Sequence, residues 1–118
     1  MKQINDFTFK TVDEMTGREF FCVERLRNDI FVAEQKITLP ELDDQDLTAI
    51  QIYRLNADKT NALSTCRIFE EDGKWMLGRV AVSKDARGMH LGSKMVEAAQ
   101  TYLKEITVTA LYCCLLYT

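Results

Sequence analysis

No stretch of this 118-residue chain is apolar for long enough to cross a bilayer, and Met1–Asp6 carries no apolar signal core. The expectation is a cytoplasmic protein with no membrane partner. Basic residues are not in excess: fifteen Lys and Arg face eighteen Asp and Glu, a net charge of −3. That balance argues against a nucleic-acid surface and is compatible with a basic acceptor. There is one histidine, His90, so no histidine pair can build a zinc site. The four cysteines, Cys22, Cys66, Cys113 and Cys114, include no Cys-x-x-Cys pair, and no base stands beside any of them. They read as reduced, mostly packed thiols, and no metal is expected. Long repeats and low-complexity segments are also missing.

What remains is the composition of one soluble domain over residues 1–118, 47% apolar and 28% charged. Phe7–Val12 alternates like a short strand. Thr16 and Glu19 have capping-box spacing, which predicts a helix running to about Gln35. Phe20, Val23, Leu26, Ile30, Phe31 and Ala33 form its apolar stripe, and Pro40 closes it off. Glu41–Asp46 reads as an acidic loop. Three strands follow, over 48–56, 62–70 and 74–82, with Asp72-Gly73 as a hairpin turn between the last two. Gly78 inside the third strand predicts a bulge or a close backbone approach. A second helix is expected from about His90 to Glu105, with Leu91, Met95, Ala98, Ala99, Tyr102 and Ile106 on its buried face. A last strand over Thr107–Tyr112 would lie parallel to the third of the meander.

The stretch from Gly78 to Ser93 carries the most chemistry. An apolar strand enters a glycine-punctuated turn, and the turn opens an amphipathic helix. That geometry aims unpaired N–H groups and a positive helix end at one point, a means of holding phosphate. On the plainer reading Gly88 and Gly92 serve only backbone shape. The spacing resembles the Arg/Gln-x-x-Gly-x-Gly/Ala signature of the GNAT superfamily of acyl-CoA-dependent N-acyltransferases. Arg87 opens the motif, Gly92 closes it, and His90 stands where the middle glycine is found. The β-α-β-β-β-α-β order matches the GNAT core. Arg27, Phe31-Val32-Ala33-Glu34-Gln35, Pro40, Glu41, Asp43 and Asp46 are similar to an ElaA-like subgroup.

The resemblance implies an α/β (α+β) fold of GNAT type, a mixed, mostly antiparallel sheet flanked by helices. It implies acetyl-CoA as co-substrate, with the pyrophosphate on Arg87, Gly88, Met89, His90, Leu91, Gly92 and Ser93. The pantetheine would run along the backbone of Val80, Ala81 and Val82, which also supplies an oxyanion donor. An amine, small-molecule or protein, would attack the thioester directly in a ternary complex. Glu34, Glu41 and Asp43 are then candidates for taking its proton, against a reading as solvated surface. Arg27 would orient an anionic part of the acceptor, or simply pair with a carboxylate. His90 reads as a helix-start residue beside phosphate rather than a base.

After Ala110 the chain ends in an apolar, β-prone octapeptide, Leu111–Thr118, where GNAT chains continue into another helix and strands. The expectation is a fold truncated after its fifth strand and a homodimer through the C-terminal strand. Two functions stay open: an N-acetyltransferase, or a CoA-binding or interaction module with little catalysis. A nucleotide-binding domain is disfavoured by the missing Gly-x-x-x-x-Gly-Lys-Ser/Thr loop.

Overall fold

The computed structural model describes residues 2–106 and the backbone of 112–113. Within them, six strands form one sheet in chain order: β1 (Lys2–Ile4), β2 (Phe7–Lys10), β3 (Ile50–Leu55), β4 (Ala62–Glu71), β5 (Lys74–Val82) and β6 (Tyr112–Cys113). Neighbours are antiparallel up to β5. The β5–β6 pair is parallel, with Met76 opposite Tyr112 and Leu77 opposite Cys113. Helix α1 (Gly17–Arg27) precedes β3, and α2 (Leu91–Glu105) links β5 to β6.

Strand alternation puts two cores on the two faces of the sheet. On one face Phe7, Phe9, Ile52, Cys66, Ile68 and Leu77 meet Leu91, Met95, Ala98, Ala99 and Leu103 of α2. On the other, Ala62 and Ala81 meet Cys22 and Leu26 of α1 and Ile30 and Phe31 just beyond it. Cys22 and Cys66 are buried free thiols. In α2, Leu103 takes the buried place expected of Ile106, which is exposed, while Tyr102 stacks on Phe9 with ring centroids 4.9 Å apart.

Local chemistry explains the boundaries. Thr16 caps α1: its hydroxyl accepts from the Glu19 amide at 3.1 Å, and Glu19 accepts from the Thr16 amide at 2.8 Å. The helix does not stay α-helical to Gln35. It widens into π-helical turns over Asn28–Glu34, and Lys36 in the left-handed region (φ 56°) ends it before Pro40 is reached. The predicted Phe7–Val12 strand stops at Lys10, because Thr11 starts a 3-10 turn over Val12–Glu14. Strand β1 was not expected; Asn5 and Asp6, both left-handed, turn it back onto β2. Asp72-Gly73 forms the hairpin turn the sequence indicates, with φ of 51° and 77°.

The bulge lies one residue beyond Gly78. Thr65 pairs with Ala81 and Arg67 with Gly78, so Arg79 and Val80 together oppose the single residue Cys66. Arg79 takes the left-handed conformation, φ 53°. Most of the predicted last strand, Cys114, Leu115, Leu116 and Tyr117 lie outside the described residues, and with them the expected dimer contact.

Candidate functional site

The turn after β5 is built almost wholly by backbone. Ser83 leads into a 3-10 turn over Lys84–Ala86, and the Met89 amide closes it by donating to the Ala86 carbonyl at 3.2 Å. Gly88, at φ +97°, holds a conformation open to glycine alone. His90, the N-cap of α2, sits at φ 57° and its side chain makes no capping bond. A helix leaves its first amides without internal partners, so those of Leu91, Gly92 and Ser93 stand at the positive end of α2 with no side-chain cap. At Gly92 an added Cβ would meet only Val82 Cγ2, at 3.8 Å. Leu91 gives its side chain to the core, leaving only its backbone to the loop, whereas Met89 and Ser93 are exposed.

The left-handed His90 explains the glycine usual at this motif position. Histidine tolerates that region better than most residues, a β-branched residue poorly. His90→Val is expected to cost about 1–2 kcal/mol, and His90→Gly to stay within about 0.5 kcal/mol of the parent, as relieved strain offsets lost chain stiffness. Urea denaturation of the two variants checks both figures.

Glu34 reaches this turn from the end of the π-helical segment. Arg87 Nη2 donates to its two carboxylate oxygens at 3.1 and 3.3 Å, and Lys84 Nζ lies 3.8 Å away. A cleft of about 500 Å³ adjoins the pair, walled by Leu26, Ile30 and Glu34 on one side and Ala62, Ser83 and Lys84 on the other. Ala81 is buried towards α1, while Val80 and Val82 pack on the α2 core, so only the backbone of these three is left to face a ligand.

The remaining sequence candidates meet elsewhere, in a buried ionic cluster. Arg27 and Arg79 are each 1% exposed and Arg67 is 4%. Arg27 donates to Asp46 Oδ1 and Oδ2 at 2.9 and 3.1 Å, to Glu41 Oε1 at 2.5 Å and to the Glu41 carbonyl at 3.0 Å. Arg67 forms a two-pronged pair with Asp43 at 2.7 and 3.2 Å. Arg79 donates to the carbonyls of Glu41 and Pro40 at 2.9 and 3.3 Å, and to Asp43 at 3.3 Å. The run 41–46 is thus not a solvated acidic loop: Asp43 caps a 3-10 turn over Asp44–Leu47 and delivers Asp46 to the interior. Burial alone would raise the Asp46 carboxyl, but Arg27 holds it far below the usual range. Hydrogen bonding from Arg67 lowers Asp43. Burial opposes the charge on Arg27, and the Asp46 and Glu41 carboxylates outweigh it. Arg27 therefore faces carboxylates rather than the surface. Sequence reasoning missed Glu24, Arg67 and Arg79 entirely; arginines on strands that otherwise read as apolar were the available signal.

Comparison with known proteins fits this geometry. The model of the acetyltransferase (GNAT) family matches residues 21–117. The chain belongs to the GNAT family. A UPF0039 protein of Schizosaccharomyces pombe is 30% identical over 103 residues, 86% of this chain and 69% of its own length. A UPF0039 protein of Mycobacterium tuberculosis is 30% identical over 91 residues, and the chain spans 58% of its length. Among solved structures, an acyl-CoA N-acyltransferase from Pseudomonas aeruginosa superposes with a TM-score of 0.81 at 27% identity, over 92% of this chain and 77% of that one. Escherichia coli ElaA gives 0.78 at 22%, over 91% and 75%, a likeness of fold. The GNAT assignment and the ElaA likeness expected from the Arg87–Gly92 loop and the 27–46 segment both hold. Among the described residues no group of His, Cys, Asp or Glu is arranged for a metal, and no helix is long and apolar enough to cross a membrane.

Proposed function

We propose that this GNAT chain transfers an acetyl group from acetyl-CoA to an amine by direct attack in a ternary complex. The observation that carries this is the start of α2: no side chain caps it, its Gly92 leaves room, and Arg87 and Lys84 flank it. The amides of Leu91, Gly92 and Ser93 would hold the pyrophosphate, with Arg87 exchanging Glu34 for a phosphate oxygen. Acetyl-CoA supplies an activated thioester carbonyl. The backbone of Val80–Val82, beyond the bulge, would align it. The cleft bordered by Leu26, Ile30 and Glu34 would receive the amine, small-molecule or protein. The cytoplasm supplies both substrates and is the proposed compartment.

One observation favours a second reading, a CoA-binding module with little catalysis. Glu34, Glu41 and Asp43 are all ion-paired with arginine, so none stands ready to take a proton without first giving up its partner.

Gly92→Val is expected to weaken CoA binding about tenfold, or 1.4 kcal/mol, by filling the space at the helix start while the fold stays intact. Calorimetry giving equal affinity for the two proteins would remove the pyrophosphate from this turn. Thiol release from acetyl-CoA with a panel of amines separates transfer from binding alone.

A further inference from the structure

We infer that Glu24 is a positioning residue: it keeps a proton and turns it towards Glu41 in the buried space beside Arg27, and that proton holds together the guanidinium cluster that fixes Arg79 in the β5 bulge. The link to acyl transfer rests on the function proposed above, since the bulge precedes the backbone assigned to the thioester; the Glu24 proton does not.

The groups that face one another can be counted from every element. Helix α1 contributes Glu24 and Arg27, the 41–46 segment contributes Glu41, Asp43 and Asp46, β3 contributes Gln51, β4 contributes Arg67 and β5 contributes Arg79. Three guanidiniums thus meet four carboxyl groups, and one proton makes the cluster neutral. Its place is marked. Glu24 Oε2 and Glu41 Oε2 are both buried and accept no hydrogen bond, although each belongs to a carboxyl group beside Arg27 Nε, at 4.0 Å for Glu24 Oε2 and 2.5 Å for Glu41 Oε1. A carboxyl O–H on Glu24 that donates to Glu41 satisfies both oxygens. Burial first, and then the neighbouring Glu41 carboxylate, push the Glu24 carboxyl up to about 8. The side chain is 27% exposed and borders a shallow hollow with Phe20, Phe21 and Asn28, which gives the proton access to water.

The consequence runs through Glu41. Its Oε1 lies 3.5 Å from Arg79 Nε and its carbonyl accepts from the same nitrogen at 2.9 Å. Losing the proton drives the two carboxylates apart, and Glu41 carries the hydrogen-bond acceptor of the residue in the strained bulge.

The test compares the full chain with Glu24→Gln, which keeps a hydrogen-bond donor at all pH values, and Glu24→Ala, which never has one. A raised carboxyl pKa stabilises the fold at low pH, and that contribution is lost as pH climbs from about 4.5 to about 8. The parent's unfolding constant is therefore expected to rise on the order of a hundredfold more than that of the Gln variant between pH 5.5 and 8.5. The Arg79 Nε–H NMR signal, assigned through Arg79→Lys, is expected to shift with a midpoint near pH 8 in the parent and to stay fixed in the Gln variant. In the Ala variant, which has no carboxyl at position 24 to titrate, it should likewise stay fixed. Parallel stability profiles, or an Arg79 signal that titrates alike in the parent and the Gln variant, would overturn the inference. Failure of acetyl-CoA to bind at any pH counts against the proposed function, while the two ligand-free measurements still decide this one.

Discussion

Replacing Arg27 with methionine is expected to cost about 3–5 kcal/mol of folding stability. Methionine keeps most of the buried stem, so the loss is electrostatic. Asp46 loses its two bonds from Arg27 and keeps only Arg67 as a guanidinium neighbour, Glu41 loses the 2.5 Å bond to Nε, and two carboxylates remain inside with less than their full set of donors. Domains of this size are stable by only about 5–15 kcal/mol, so a sizeable unfolded fraction is expected at physiological temperature. Urea denaturation measures it. If Arg27 instead served to orient an acceptor, stability would stay within about 0.5 kcal/mol and only activity would fall.

Glu19→Gln is expected to lose about 2–3 kcal/mol at pH 7 and nothing at pH 2. Burial disfavours the Glu19 charge, but the Thr16 amide, Lys10 and Tyr53 together hold its carboxyl at about 2. Lys10 Nζ donates to its two oxygens at 2.9 and 3.0 Å, and the Tyr53 hydroxyl donates at 2.7 Å. A depressed carboxyl stabilises the fold above its unfolded value near 4.5, and the contribution is lost as pH falls towards 2. Parent and variant should therefore diverge at neutral pH and converge in acid. Glu19 ties α1 to β2 and β3, so guanidinium melts at several pH values read the bond between helix and sheet. A constant gap between the two proteins across pH would assign the role to shape alone.

Elements set by local chemistry were legible in the sequence. The Thr16–Glu19 cap, the Asp72-Gly73 turn and the Leu91–Ala99 part of the α2 stripe each announce themselves within a few residues, and the turn into α2 does so through Arg87 and Gly92. What escaped notice depends on distance along the chain. Arg27 meets Asp46 nineteen positions later, and Arg79 meets Glu41 thirty-eight positions earlier. A run such as Glu41–Asp46 looks solvated until the arginines that bury it are in place. The π-helical widening after Arg27 and the left-handed His90 also went unseen, because no residue type compels either; packing of Ile30 and Phe31, and the demands of the turn, decide them.

The bulge at Arg79 has a further effect, on the phase of its strand. Before it, the odd-numbered Trp75 and Leu77 look towards α2. After it, the even-numbered Val80 and Val82 do, and the odd-numbered Ala81 turns to α1. One extra residue thus inverts the in-and-out rhythm of β5, joining two half-strands of opposite parity. Kept at its full length but paired regularly, without the bulge, β5 would alternate strictly. It would then point Val80 and Val82 at the charged cluster and withdraw them from α2. The surplus residue lets one strand serve an ionic interior on one face and an oily one on the other, with the change of frame falling between the β6 pairing and the turn.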